Sequence, residues 1–219
     1  MTAKVERFFN FLQREKCKGF LACAFYVSII GMVLEIAMPL PLEIICTILR
    51  LIVALLWYVV SMMEVTDEHL EKKSKKERLK QLVKEIVMFI PVLIVSNCII
   101  YLVAVGKPVN QMSIETSIGQ APIYYSISAI IVGPIVEEYI FRFLPHKFIK
   151  NPIIYVIFST FVFATMHVVD DPNAYYYIWF YMMRPLYYAY RYHKTQDLAV
   201  PICMHSLNNL VATLPLIIK

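Results

Sequence analysis

The sequence lacks the cysteine and histidine spacings that mark disulfide-rich and metal-binding proteins. Its five cysteines include no CxxC pair, and most lie inside apolar runs, where a free thiol behaves as a small hydrophobic side chain. The HExxH pattern of many zinc proteases does not occur. The sequence therefore predicts neither a disulfide framework nor a bound metal or other cofactor.

Charge is also scarce and confined to short blocks. Charged residues make up 17% of the 219 residues, hydrophobic residues make up 59%, and the mean hydropathy is +0.62. This composition excludes a disordered chain and an ordinary soluble domain, and it predicts an integral protein of a lipid bilayer. The net charge of +5 comes from basic residues that flank apolar runs, as the positive-inside rule expects, so no nucleic-acid partner is predicted.

The apolar runs predict an all-α, polytopic transmembrane bundle of about seven spans. The predicted spans cover about 19–38, 42–63, 84–105, 122–148, 152–167, 174–192 and 197–217. The first run has no clear cleavage site for a signal peptidase and is therefore predicted to be retained. Loop charge then places the N-terminus in the cytoplasm.

Three regions follow from this topology. Residues 1–18 are predicted to form an amphipathic segment on the cytoplasmic surface, 19–121 an N-terminal membrane region, and 122–219 a core. Within the second region, the lysine-rich stretch 64–82 is predicted to be a solvated basic helix in a cytoplasmic loop, and 106–121 is predicted to be a polar outer loop.

Prolines are predicted to interrupt two of the spans. Pro134 lacks an N–H and its ring clashes with the preceding turn, so Gly133-Pro134 should kink or restart its helix. A restart would put the following glutamates near a helix N-terminus, which favours negative charge. Pro185 is predicted to break the span 174–192, and the adjacent Arg184 would either face a functional site or pair with a carboxylate.

Three ionisable residues lie in one six-residue stretch of the apolar span 122–148: Glu137, Glu138 and Arg142. Each costs about 2.5–3.5 kcal/mol at membrane depth, so they are predicted to be paired, hydrated or functional. Helical spacing brings Glu138 and Arg142 together at i,i+4 and turns Glu137 about 100° away. This spacing fits two arrangements. In one, one glutamate has a structural role and the other takes part in chemistry; in the other, both glutamates share the arginine in a buried network.

Polar residues on three predicted spans lie at similar depth. At ~1.5 Å per residue from the cytoplasmic lysines, Glu137, His167 and His205 are all roughly 17–25 Å into the membrane. Asn209 follows His205 by one helical turn. Independent spans have no reason to place such groups at one depth unless the groups share a cavity, so the sequence predicts that they meet.

The order of these residues resembles that of a known family. Three motifs stand on successive hydrophobic segments: Glu137-Glu138-x-x-x-Arg142, Phe163-x-x-x-His167 and His205-x-x-x-Asn209. The pattern is similar to that of the CPBP family of intramembrane proteases, which is named for CAAX proteases and bacteriocin-processing enzymes and is also called the Abi family. The resemblance covers about 122–215. Phe143 departs from it, because many members have a small residue after the motif arginine.

The resemblance implies a glutamate-dependent intramembrane endopeptidase that cuts a membrane-associated protein or peptide, in a prokaryotic cell membrane. Glu137 matches the catalytic glutamate and, with His167, would activate a water molecule. His205 and Asn209 match the pair that stabilises the oxyanion. The remaining motif residues, Glu138 and Arg142, would orient the site. Amide hydrolysis needs such a base and such donors.

Other functions fit the same residues. Two carboxylates and two histidines are acceptable zinc ligands, which would make the chain a zinc-dependent membrane protease. A non-catalytic scaffold or regulator of a sensor kinase or cell-wall enzyme would keep the motifs for stability. A transporter also uses intramembrane acids, although the absence of an internal repeat counts against it.

Overall fold

The structure, a computed structural model, describes residues 44–46, 48, 49, 52 and 74–218. All regular structure in these residues is helical, which confirms the predicted all-α class. The predicted segment 1–18 and first span lie outside the described residues, and only six residues of the second span lie within them. Residues 74–219 form one compact unit of the chain, and 1–73 form another.

Eight α-helices follow Ser74: α1 Lys75–Val103, α2 Val109–Gln120, α3 Pro122–Ile127, α4 Gly133–Glu138, α5 Leu144–Phe148, α6 Pro152–Val168, α7 Ala174–Thr195 and α8 Ala199–Ile217. Two π-helical segments, Ser128–Val132 and Tyr139–Phe143, join α3 to α4 and α4 to α5. Among the described residues, two helices are long and apolar enough to cross a membrane, within Lys76–Val103 and Ala199–Ile217. Helix α6 is apolar but shorter.

Helix α1 begins earlier than the predicted span 84–105. Ser74 and Glu77 form a reciprocal capping box, with bonds of 2.8 and 3.3 Å between each side chain and the other residue's backbone N–H. From this cap the helix continues for 29 residues and passes Pro91 without ending. Residues 75–83, before the predicted start of the span, contain neither Gly nor Pro, so nothing in them opposes the helix. The predicted boundary is therefore wrong, and the end of the basic stretch 64–82 belongs to the same helix as the apolar run.

The predicted outer loop at 106–121 is also wrong, because most of it forms α2. Gly106 turns the chain with a left-handed φ of 79°, and the helix begins after Pro108. The side chain of Asp171, from the α6–α7 connection, accepts the N–H of Val109 at 2.8 Å. This distant carboxylate satisfies an otherwise unpaired amide at the N-terminus of α2.

The predicted break at Gly133-Pro134 is replaced by a π turn. The N–H of Gly133 bonds to the carbonyl of Ser128, five residues back, and Val132 keeps helical angles of −68° and −50°. A wider turn accommodates the proline without ending the helix. The glutamates of α4 therefore do not lie at a free helix N-terminus, and the predicted stabilisation of their charge by such a terminus is wrong. Pro145 is preceded by a second π turn.

Helix α7 also passes its proline without a break, since it runs from Ala174 to Thr195 with Pro185 inside. The predicted interruption there is wrong. Pro185 is buried, and α7 packs along α6. A core of buried side chains joins α1, α7 and α8: Phe89, Leu93, Tyr188, Val200 and Met204. Helices α6 and α8 also pack against the α4 region, which brings the three motifs together.

Candidate active site

Glu138 and Arg142 form the ion pair that their spacing predicts. Nε of Arg142 lies 3.1 Å from Oε2 of Glu138, and both side chains are 0% exposed. The guanidinium carbon also lies 4.6 Å from the ring centroid of Phe163. The second carboxylate oxygen of Glu138 lies 2.8 Å from Nδ1 of His205 on α8. Glu138 therefore pairs with Arg142 along its own helical segment and connects that segment to α8 through one charge-assisted contact, that with His205.

Glu137 approaches two imidazoles without bonding to either. Its Oε2 lies 3.6 Å from Nε2 of His167 and 3.9 Å from Nε2 of His205. Both distances exceed those of ordinary hydrogen bonds. The side chain of Glu137 is 24% exposed and that of His167 is 19% exposed, in contrast to the complete burial of Glu138. Oε2 of Glu137 is buried and has no hydrogen-bond partner among the described residues, so this oxygen is not engaged in a structural bond.

The partners of the two histidines determine which ring nitrogen carries a proton. Nδ1 of His167 lies 2.8 Å from the carbonyl oxygen of Phe163, which only accepts, so Nδ1 is the donor. Nδ1 of His205 likewise donates to the carboxylate of Glu138. A neutral imidazole then turns an unprotonated Nε2 toward Glu137. A proton donor between these acceptors, or a protonated imidazole, is needed to satisfy them.

Aromatic rings hold both imidazoles in place. The ring of Phe163 stacks on His167 at 4.2 Å between centroids, and Tyr181 lies 5.3 Å from the same imidazole. Tyr188 stacks on His205 at 5.6 Å and is 1% exposed. Tyr188 therefore faces the interior of the helical unit. The seven-residue spacing of Tyr181 and Tyr188, which puts both on one helix face, is the sequence signal that could have revealed these contacts.

Asn209 contacts the π-helical segment before α4. Its Nδ2 donates to the carbonyl oxygen of Ala129 at 2.8 Å. That carbonyl lacks a backbone donor, because Gly133 bonds one residue further back and Pro134 has no N–H. Asn209 therefore replaces the missing backbone hydrogen bond, a contact that the sequence did not predict. One N–H of its amide is not used in this bond.

Arg184 bonds to two neutral side chains of α1. Its Nε donates to Oγ of Ser96 at 2.8 Å, and one terminal nitrogen donates to Oδ1 of Asn97 at 2.5 Å. Both partners are neutral side chains of α1. Arg191, on the same helix, is instead ion-paired with the buried Glu85. Among the described residues, therefore, no carboxylate pairs with Arg184.

No metal site is evident in the described part of the chain. Among those residues, no group of three or more His, Cys, Asp or Glu side chains is arranged to hold a metal ion.

Comparison with known protein families matches residues 119–211 to the family described as Type II CAAX prenyl endopeptidase Rce1-like. No curated protein and no solved structure matches the chain. The matched segment runs from the end of α2 into α8 and contains all three motifs. It confirms the resemblance predicted from those motifs. Residues 119–211 are thus similar to the CAAX protease family.

Proposed function

We propose that the chain is an intramembrane endopeptidase that hydrolyses a peptide bond with a water molecule activated by Glu137 and His167. The observation that carries this proposal is the 3.6 Å approach of the Glu137 carboxylate to Nε2 of His167. Both atoms accept hydrogen bonds, so a water molecule that donates to both would be oriented and made more basic. Attack on the scissile carbonyl transfers one water proton to this pair, which later returns it to the leaving amine.

His205 is the proposed electrophilic partner. Because its Nδ1 is engaged by Glu138, it can donate from Nε2 to an oxyanion only as an imidazolium. A proton on His205 also balances charge, since two glutamates and Arg142 otherwise leave the cluster with one excess negative charge. The second N–H of Asn209 is the further proposed donor, and Glu138 with Arg142 orients the site.

The proposed setting is a prokaryotic cell membrane, with about seven spans and a cytoplasmic N-terminus. The two long apolar helices support a membrane location. So do the outward side chains of α6, such as Ile153 and Phe161, which are 69% and 52% exposed. The substrate is proposed to be a membrane-associated protein or peptide, and the matched family makes a prenylated CAAX peptide the first probe.

The test uses the full chain in proteoliposomes with two sets of peptides, prenylated CAAX peptides and unmodified membrane-associated peptides. Mass spectrometry should detect a defined cleavage product with the wild type and none with Glu137→Gln or His167→Gln. Absence of any product with folded wild-type protein would favour the scaffold function. Loss of cleavage on chelation, with restoration by zinc, would favour the zinc protease instead.

A further inference from the structure

Arg184 carries a charge that none of the described residues neutralises. Its two hydrogen bonds go to the neutral side chains of Ser96 and Asn97, and no described carboxylate lies within ion-pair distance. The other arginines in the helix core differ, because Arg142 is paired with Glu138 and Arg191 with Glu85. A guanidinium whose partners are all neutral can still bind an anion, which would neutralise its charge.

The position of Arg184 makes this charge unusual. It lies midway along the 22-residue helix α7, ten residues after Ala174 and eleven before Thr195. A charged side chain at that depth of a membrane is costly and is usually paired or functional. Lipid phosphates lie at the interface rather than at mid-depth. The anion that fits this position is therefore part of a ligand that binds inside the protein, at the depth of the candidate active site.

Arg184 also lies at the same level as the proposed catalytic groups. Tyr181, three residues before it, contacts the ring of His167 at 5.3 Å, and Tyr188, four residues after it, contacts His205 at 5.6 Å. At ~1.5 Å per residue, Arg184 is within about 6 Å of both tyrosines along the helix axis. A peptide held at these histidines would therefore be at the level of Arg184 along α7.

The donors needed to bind a carboxylate are present. The second terminal nitrogen of Arg184 makes no hydrogen bond to a described residue, and the amide Nδ2 of the exposed Asn97 is also uncommitted there. A guanidinium offers its N–H groups in a planar fork that matches a carboxylate. Ser96, which donates to the carbonyl of Leu93 at 3.0 Å, holds the fork in place.

We propose that Arg184, supported by Ser96 and Asn97, binds a carboxylate of the peptide substrate and so selects substrates that carry one near the cleaved bond. This inference rests on the proposed endopeptidase function. A C-terminal carboxylate and an acidic side chain offer the same chemistry, and the peptides used in the test separate them.

The test measures binding as well as cleavage. A prenylated CAAX peptide is made in four forms, with a free or amidated C-terminus and with Glu or Gln beside the scissile bond. Binding of fluorescent versions is measured on Glu137→Gln protein in nanodiscs, and kcat/KM is measured on protein with an intact catalytic glutamate. We expect one carboxylate to improve binding and kcat/KM at least tenfold, and Arg184→Gln to abolish that preference while retaining turnover of the neutral peptide.

Three further variants control for folding and charge. Asn97→Leu changes only an exposed side chain and should reduce the preference, even if Arg184→Gln proves unstable. Arg184→Lys keeps the charge without the fork and should retain part of the preference. Arg191→Lys alters an arginine of the same helix that already has a carboxylate partner, so the preference should be unchanged.

Each outcome bears on the inference. It is overturned if wild-type protein does not discriminate the four peptides, or if Arg184→Gln and Asn97→Leu discriminate as well as wild type. It is also overturned if native mass spectrometry shows an anionic phospholipid lost in Arg184→Gln while peptide preference is absent. Carboxylate-dependent binding without cleavage would support this site and contradict the proposed function. Cleavage of the four peptides without preference would contradict this site and support the proposed function.

Discussion

Two adjacent glutamates of α4 occupy opposite environments. Glu138 is completely buried, ion-paired with Arg142 and bonded to His205. Glu137 is partly exposed and separated from the two imidazoles by 3.6 and 3.9 Å. A charge held by direct contacts stabilises the packing of helices, whereas a charge left at a short distance from its neighbours is available to a ligand. One turn of helix therefore carries one acid that is engaged in structural contacts and one that is left for the proposed chemistry.

Gly133 contributes to the open side of this turn. A Cβ at that position would lie 3.3 Å from Oε1 of Glu137 and 3.4 Å from the carbonyl oxygen of Ser128. The missing side chain leaves the Glu137 carboxylate room beside the π turn.

The largest effect is expected at Glu137, the partly exposed acid. Glu137→Gln should reduce cleavage by about 10²–10⁴-fold, because the proposed general base is lost. Its stability should be unchanged or raised, since a residue kept for chemistry is seldom optimised for folding. Product formation and thermal unfolding in detergent measure the two effects. Full turnover would remove Glu137 from the mechanism. A large loss of stability would indicate that Glu137 is the structural acid and Glu138 the chemical one.

At the buried pair Glu138–Arg142, the main effect should be on stability. Glu138→Ala and Arg142→Ala should each lower the free energy of unfolding by about 3–5 kcal/mol, because each strands a buried charge. The double variant Glu138→Gln/Arg142→Met should recover part of this loss, since it leaves no unpaired charge and Gln still accepts the His205 N–H.

The surface ion pair between Lys107 and Glu115, at 2.7 Å and with a lysine side chain 58% exposed, is the matched control. Removing either of its partners should cost less than about 1 kcal/mol. Strict additivity between positions 138 and 142 in denaturant titrations would contradict the buried pair.

A smaller effect is expected where α8 supports the π turn. Asn209→Leu should cost about 1–3 kcal/mol, because the Ala129 carbonyl loses its donor. Pro134→Ala should reduce this cost when combined with it, since alanine restores a backbone N–H near that carbonyl. The readout is the coupling energy in a double-mutant cycle. Independent effects of the two changes would show that Asn209 does not replace the missing N–H.

The smallest expected effect tests the space beside Glu137. Gly133→Ala should lower kcat by roughly tenfold or less, because the carboxylate must shift by a few tenths of an ångström and catalysis depends on its position. Stability should rise slightly, since alanine favours a helix by about 1 kcal/mol. Gly119→Ala is the control, because its Cβ would meet no atom within 4 Å. Equal activity of both variants would mean that Gly133 does not position the acid.

Several features of this architecture were readable from local sequence. Helix α6 spans Pro152–Val168, close to the predicted 152–167, and α8 spans Ala199–Ile217, close to 197–217. The Glu138–Arg142 pair follows directly from i,i+4 spacing. The breaks expected at Pro134 and Pro185 did not follow, because a proline removes one N–H but does not by itself determine whether a π turn or helix packing compensates for it.

Local sequence was enough to predict the helical class, the apolar segments and the meeting of Glu137, His167 and His205, since hydropathy and helical rise act locally along the chain. Tertiary structure alone decided which groups bond. Asp171 caps a helix 62 residues away, Glu138 binds His205 across 67 residues, and Asn209 meets Ala129 across 80. Such partners depend on the rotation and packing of separate helices, which no local pattern specifies.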